Sequence, residues 1–189
     1  MDDAFDHAIT LSKRRQLFER PLGLAGVWGD VVEEWLSDLL PSDAARRSNG
    51  RVGIFMLRTL PFPRRVMMTH FSDRSDLIQC ALASCHIPYF LDGRFSARYG
   101  GARWIDGSFL LRRDELRAPD GTRPQLMLDP TCDPSAPRDF LRLREPQGVR
   151  DILDSGKAWA RSPVVQPALA EVHAALEASP LGEPPVYKP

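Results

Sequence analysis

A chain of 189 residues with 43% hydrophobic and 26% charged side chains has the make-up of one globular domain with a real core, not of a disordered or fibrous polymer. Its 25 basic residues balance its 25 acidic ones, so no net field favours nucleic acid, and no nucleic-acid partner is expected. Cys80, Cys85 and Cys132 form an odd set without metal-ligand spacing, which suits a reducing compartment and small buried hydrophobes; no metal and no cofactor are expected.

The acidic start, Met1 to Asp6, lacks the apolar stretch of a secretory signal. No run of about eighteen apolar residues occurs, so no transmembrane segment is expected and the chain reads as soluble. Asp3 to about Arg20 reads as the tail of a helix, charged and only moderately amphipathic, and Pro21 to Gly29 as a Gly/Pro break. Asp30 is the expected N-cap of a second helix, whose stripe Val31, Val32, Trp35, Leu36, Leu39 and Leu40 is closed by Pro41. Ser42 to Arg47 adds a helical turn before the Asn49-Gly50 turn signal.

Val52 to Leu57 and Val66 to Phe71 are apolar runs joined through Pro61-Phe62-Pro63, which predicts two paired strands, the first covered on both faces. Ser72-Asp73 opens a helix carrying Leu77, Ile78, Ala81, Leu82 and Cys85 on one stripe, closed by Pro88. Its small residues Ala81, Ala83 and Ser84 allow close packing. A loop rich in Gly and aromatics follows from Tyr89 to Gly101, then a strand over Arg103 to Asp106 and a polar loop. Gln125 to Asp129 predicts another buried strand. Val149, Ile152, Leu153 and Trp159 mark a helix weakened by Gly156 by about 1 kcal/mol relative to alanine. The last helix is expected to start at Pro167, ahead of an extended proline-rich tail. Helices alternating with buried strands predict α/β layers. The basic clusters Lys13-Arg14-Arg15, Arg46-Arg47, Arg64-Arg65 and Arg112-Arg113 are scattered and read as solvated faces.

The chemistry centres on Ala102-Arg103-Trp104-Ile105-Asp106-Gly107-Ser108. In layered α/β folds, reactive groups sit beyond the carboxyl ends of strands. The glycine after the acid permits a sharp turn and close approach. The same Asp-Gly pair also reads as an ordinary turn, the more common meaning of that dipeptide.

Three stretches carry a resemblance from about Leu22 to Trp159: Gly50-Arg51-Val52-Gly53-Ile54 with Thr59-Leu60-Pro61; Asp76 to Phe90 with its Ser84-Cys85-His86-Ile87-Pro88 ending; and Gly101 to Ser108. In this order they resemble the carboxyl-terminal part of a patatin-like phospholipase domain. The resemblance implies an incomplete layered α/β fold, with helices on a mixed, partly parallel sheet whose amino-terminal strands are missing. It implies a lipid acyl hydrolase using a Ser-Asp dyad, with Asp106 as proton acceptor and Asp106, Gly107 and Ser108 as its motif. The serine of such a dyad stands in a Gly-x-Ser-x-Gly elbow, where an adjacent base activates an otherwise weak hydroxyl. The oxyanion hole comes from a separate Gly-rich loop.

Neither the elbow nor that loop occurs in these residues. Both would lie upstream of Met1, so the chain reads as truncated at its amino end. Ser72, Ser84 and Ser108 lack the flanking glycines of an elbow, and His7, His70, His86 and His173 have no nucleophile signature nearby. His86 reads as a helix-end cap or pocket wall. Ser108 stands where the family has Gly or Ala, and Phe109 to Arg113 where relatives are more polar. The domain expectation is a partial patatin-like domain over 1–161, a terminal helix over 162–178 and a flexible tail over 179–189. The resemblance further implies a lipid ester as partner once the missing segment is supplied, and a cytoplasmic protein that meets membranes or lipid droplets peripherally. The alternative is a catalytically inactive remnant that binds lipid or protein.

Overall fold

The computed structural model describes residues 2–109 and 146–178, which fall in two compact units. The predicted strand Gln125 to Asp129, Cys132, Arg112-Arg113 and the proline-rich tail lie outside the described residues.

The first unit opens with helix α1 (Asp2–Arg14), a short 3-10 turn (Leu17–Glu19) and helix α2 (Trp28–Leu39). The single charged helix expected to Arg20 stops early because Gln16 takes a left-handed conformation at φ 52° and turns the chain. Leu11 and Leu17 are buried on either side of that break. Polar bonds join the two helices: the Trp35 indole N–H donates to Ala4 O at 3.3 Å, and Arg14 and Arg15 both reach the Glu34 carboxylate.

Helix α2 begins three residues before the expected start, with Val27 rather than Asp30 at the cap and no side-chain cap bond. The reason is tertiary. Gly29 N–H donates to Leu91 O at 3.0 Å, so a distant loop satisfies a donor that a capping side chain would take, and Gly26 N–H, just before the cap, donates to Phe90 O at 2.7 Å in the same loop. Asp30 sits in the first turn, where its charge still favours the helix dipole.

A short helix α3 (Ala44–Ser48) leads to the Asn49-Gly50 turn, with Gly50 at φ 72°. The Asn49 amide brackets Phe71, accepting from its N–H at 2.7 Å and donating to its carbonyl at 3.1 Å. Strands β1 (Ile54–Arg58) and β2 (Arg64–Met68) then pair antiparallel, as their apolar runs suggested. The Leu60–Pro61 peptide between them is cis.

Helix α4 (Arg74–Ser84) starts with a reciprocal cap. Asp73 Oδ1 accepts from Asp76 N–H at 2.9 Å, and Asp76 Oδ2 accepts from Ser72 N–H at 2.8 Å. That Ser72 bond holds the Asp76 carboxyl below the usual carboxylate range. Leu77, Ile78, Cys80, Leu82 and Ala83 are all buried. This is more than the single predicted stripe, because the helix packs on the sheet as well as on α2 and α3.

The aromatic loop after α4 contains a strand the sequence reading missed, β3 (Ala97–Tyr99), which pairs with β4 (Ala102–Asp106). The sheet order is β2-β1-β4-β3. All three pairings among the described residues are antiparallel, so the mixed, partly parallel sheet does not emerge there. Two of the connections, 59–63 and 100–101, are too short for the crossover that parallel neighbours require.

Met56, fully buried on the central strand, packs with Trp104, Phe71, Leu77, Cys80 and Ala83 in the layer between sheet and α4. Burial of a side chain that size contributes about 1.5–3 kcal/mol. Leu57, on the opposite face of β1, is 6% exposed, so the centre of this strand is covered on both sides as predicted.

The second unit contains α5 (Pro146–Ala160) and α6 (Gln166–Ala178). Pro167 is the second residue of α6 rather than the first, a first-turn position where its missing N–H leaves no broken bond. No helix among the described residues is long and apolar enough to cross a membrane.

Candidate active site

Asp106 ends β4 and faces Met56 across the ladder. Strand alternation puts it on the face that carries Trp104, the side covered by α4. Trp104 is buried, and its indole N–H donates to Tyr99 O at 2.8 Å, which ties β4 to the β3 end.

Beyond the last rung, the backbone continues onto the end of α4. Asp106 N–H donates to His86 O at 2.9 Å, and Gly107 N–H donates to Ser84 O at 3.0 Å. A helix end has carbonyls without intrahelical partners, and the Asp-Gly segment satisfies the one on Ser84. Gly107 is buried. A Cβ there would lie 2.1 Å from Phe55 O and 2.4 Å from the Phe55 carbonyl carbon, so no larger residue fits against β1 without moving backbone.

The half-buried Asp106 carboxylate accepts Ser108 N–H on Oδ1 at 2.7 Å, and Phe109 N–H donates to Asp106 O at 3.3 Å. The dipeptide therefore is a turn, and the turn presents an acid at a strand end. Among the described residues, Oδ2 carries no hydrogen bond.

The neighbouring thiol belongs to Cys85. Burial, and after it the negative charge of Asp106, push that thiol up, so it stays protonated and weakly nucleophilic at neutral pH. The three serines considered from sequence are occupied differently. Ser84 Oγ donates to Ala81 O at 2.7 Å, the Ser72 backbone joins the α4 cap, and Ser108 supplies the N–H that orients Asp106. None of them donates a hydroxyl to the Asp106 carboxylate. His7, His70 and His173 bond elsewhere, to Asp38, Thr69 and Glu177.

His86 is the site residue whose role the sequence left open. Its side chain is 1% exposed, and Nε2 lies 3.1 Å from Arg94 O. A carbonyl only accepts, so Nε2 carries the proton. That bond ties the start of the 86–96 loop to its end. Tyr89 N–H reinforces it at 2.7 Å to the same carbonyl, with Tyr89 itself held at φ 64°. The buried imidazole thus fixes the segment whose own carbonyl holds Asp106 N–H. Sequence patterning placed His86 at a helix end but not inside the core, because its partner is eight residues away.

The loop presents apolar surface at the Asp106 end of the sheet. Tyr89 and Phe95 are 65% and 52% exposed with ring centroids 6.0 Å apart, and Phe109 is 42% exposed. The aromatic richness of this loop was visible in the sequence; the backbone bond from Asp106 N–H to the loop's His86 carbonyl was not. Among the described residues, no group of three His, Cys, Asp or Glu is placed to hold a metal ion.

No protein-family model matches the chain, and no solved structure matches it. Similar curated proteins do exist. The chain is 32% identical over 108 residues to mouse patatin-like phospholipase domain-containing protein 2, covering 57% of this chain and 22% of that protein. It is 25% identical over 99 residues to mouse omega-hydroxyceramide transacylase, covering 52% of this chain and 16% of the relative. Human patatin-like phospholipase domain-containing protein 5 is 32% identical over 77 residues, covering 41% of this chain and 18% of that protein. The chain thus spans about a fifth of the length of the relatives it matches. Over about half of its own length, this chain is related to the patatin-like phospholipase domain proteins.

Proposed function

We propose that this chain supplies the acid half of a lipid acyl hydrolase site, with Asp106 as the base for a serine carried by polypeptide outside these 189 residues. The observation that carries the reading is the Asp106-Gly107 turn. Its backbone is held by Ser84 and His86, its glycine admits no side chain, and its carboxylate is half-buried with Oδ2 uncommitted among the described residues. A serine hydroxyl within about 3 Å of Oδ2 would pass its proton to that carboxylate as the serine oxygen attacks an ester carbonyl carbon. Backbone N–H donors from that same partner polypeptide would then stabilise the tetrahedral oxyanion, each contributing about 3–4 kcal/mol. The exposed Tyr89, Phe95 and Phe109 rings suit an acyl chain, and the relatives' names, phospholipase and ceramide transacylase, point to lipid acyl chemistry.

Reading the transcript upstream of the Met1 codon tests this. The expected result is an in-frame strand, a Gly-x-Ser-x-Gly turn and a helix. An in-frame stop immediately before Met1 would remove the partner serine.

The absence of Gly-x-Ser-x-Gly from the sequence itself favours a second reading, a remnant that binds lipid or protein without turnover. Under it the purified chain hydrolyses no short acyl ester. Turnover abolished by Asp106→Asn would refute it.

A further inference from the structure

The first unit carries a second surface that the hydrolase reading does not use. The turn between β1 and β2 projects Leu60 and Phe62, 59% and 79% exposed, each flanked by proline. Immediately behind this apolar tip stand four exposed arginines. Arg58 and Arg64 are direct cross-strand partners at the end of the β1–β2 ladder, and Arg98 and Arg103 are direct partners in β3–β4. Thr59 joins the two sets, donating from its N–H and its hydroxyl to Arg103 O at 3.0 and 3.3 Å. By strand alternation Arg58 and Arg64 project from one face of the sheet and Arg98 and Arg103 from the other.

Like charges placed directly opposite in a sheet are destabilising unless a counter-charge is supplied. Among the described residues, Arg14, Arg15, Arg46 and Arg94 pair with acidic side chains, and no acidic side chain pairs with Arg58, Arg64, Arg98 or Arg103. Among the described residues, the Arg103 guanidinium donates to the neutral Ser96 hydroxyl, at 3.3 Å.

We propose that this tip docks on an anionic phospholipid surface, with Leu60 and Phe62 entering the headgroup boundary and the four arginines pairing with lipid phosphates and carboxylates. An apolar point inside a two-sided basic collar fits an interface that is anionic at its surface and hydrocarbon beneath. An acidic peptide would satisfy the collar but leave the tip in water. The tip follows Arg58, two rungs along β1 from Met56, the partner of Asp106, and it uses none of the residues that hold the Asp106 turn; the proposal therefore does not rest on Asp106 being catalytic.

Co-sedimentation of the full chain with vesicles tests it. Binding is expected to phosphatidylcholine–phosphatidylserine vesicles and to weaken with salt, with little binding to phosphatidylcholine alone. Arg58→Gln/Arg64→Gln should lower the partition coefficient about 25-fold, at about fivefold per charge near such a surface. Phe62→Ser should lower it about tenfold. Arg46→Gln/Arg47→Gln makes the same charge change on α3 and should alter it less than threefold. The collar variant relieves a like-charge pair, so its melting temperature should not fall. Equal binding to neutral vesicles, equal losses from the α3 variant, or tighter capture by polyglutamate than by anionic vesicles would overturn the proposal.

Discussion

At Gly107 a single hydrogen atom decides whether the Asp106 turn can close. The sequence shows why glycine is convenient after an acid, but not why it is required. The requirement comes from Phe55, more than fifty residues away, whose carbonyl occupies the space a methyl would need. Because the obstacle is backbone in the sheet's central strand, Gly107→Ala should destabilise by about 3 kcal/mol in urea unfolding. A loss below about 0.5 kcal/mol would show that the turn relaxes freely. Asp76 makes a pH-dependent contribution. Its carboxyl is lowered by the Ser72 N–H bond, so its stabilisation is present above its ordinary value of 3.8 and lost as pH falls through the folded value. Asp76→Asn should therefore cost about 1 kcal/mol at neutral pH, with the gap to the parent closing on acidification. Burial raises the Cys80 thiol to about 11, and the stability tied to the neutral thiol is present below 9.0 and lost as pH rises from there through about 11. Cys80→Ala should flatten this alkaline limb in pH-dependent melting.

Elements with strong periodicity were legible; elements fixed by distant partners were not. The two apolar runs gave β1 and β2, and Ser72-Asp73 gave the start of α4, because local chemistry suffices for both. The α2 start moved because the Leu91 carbonyl replaces the expected Asp30 cap. Strand β3 escaped notice because three residues within a Gly-rich loop have no period to read. Of the collar arginines, Arg64 was read as part of a scattered basic cluster, and only the register makes partners of Arg58 with Arg64 and of Arg98 with Arg103. Gly156, by contrast, stands within a helix, as the sequence reading expected. It lies inside α5, and a Cβ there meets nothing within 4 Å. Gly156→Ala should stabilise by about 1 kcal/mol, provided α5 unfolds with the transition monitored. No gain in melting temperature would mean that it does not.

At the scale of the molecule, β2 and β3 are the outer strands of the described sheet and present backbone groups to whatever lies beside them. The chain expressed alone is expected to self-associate, with sedimentation velocity showing larger species as concentration rises; a monodisperse, cooperatively melting monomer would contradict this. The α/β character and a patatin-like resemblance were readable from ordered motifs, because those motifs are local. The sheet's directions and the surroundings of Asp106 were not, because they depend on which strands meet. The most direct test of the proposed dyad is ester hydrolysis by this chain joined to any upstream coding sequence found to carry Gly-x-Ser-x-Gly, compared with its Asp106→Asn variant. The account expects turnover that falls a hundredfold or more on that substitution. A variant within twofold of the parent would show that Asp106 is not the base.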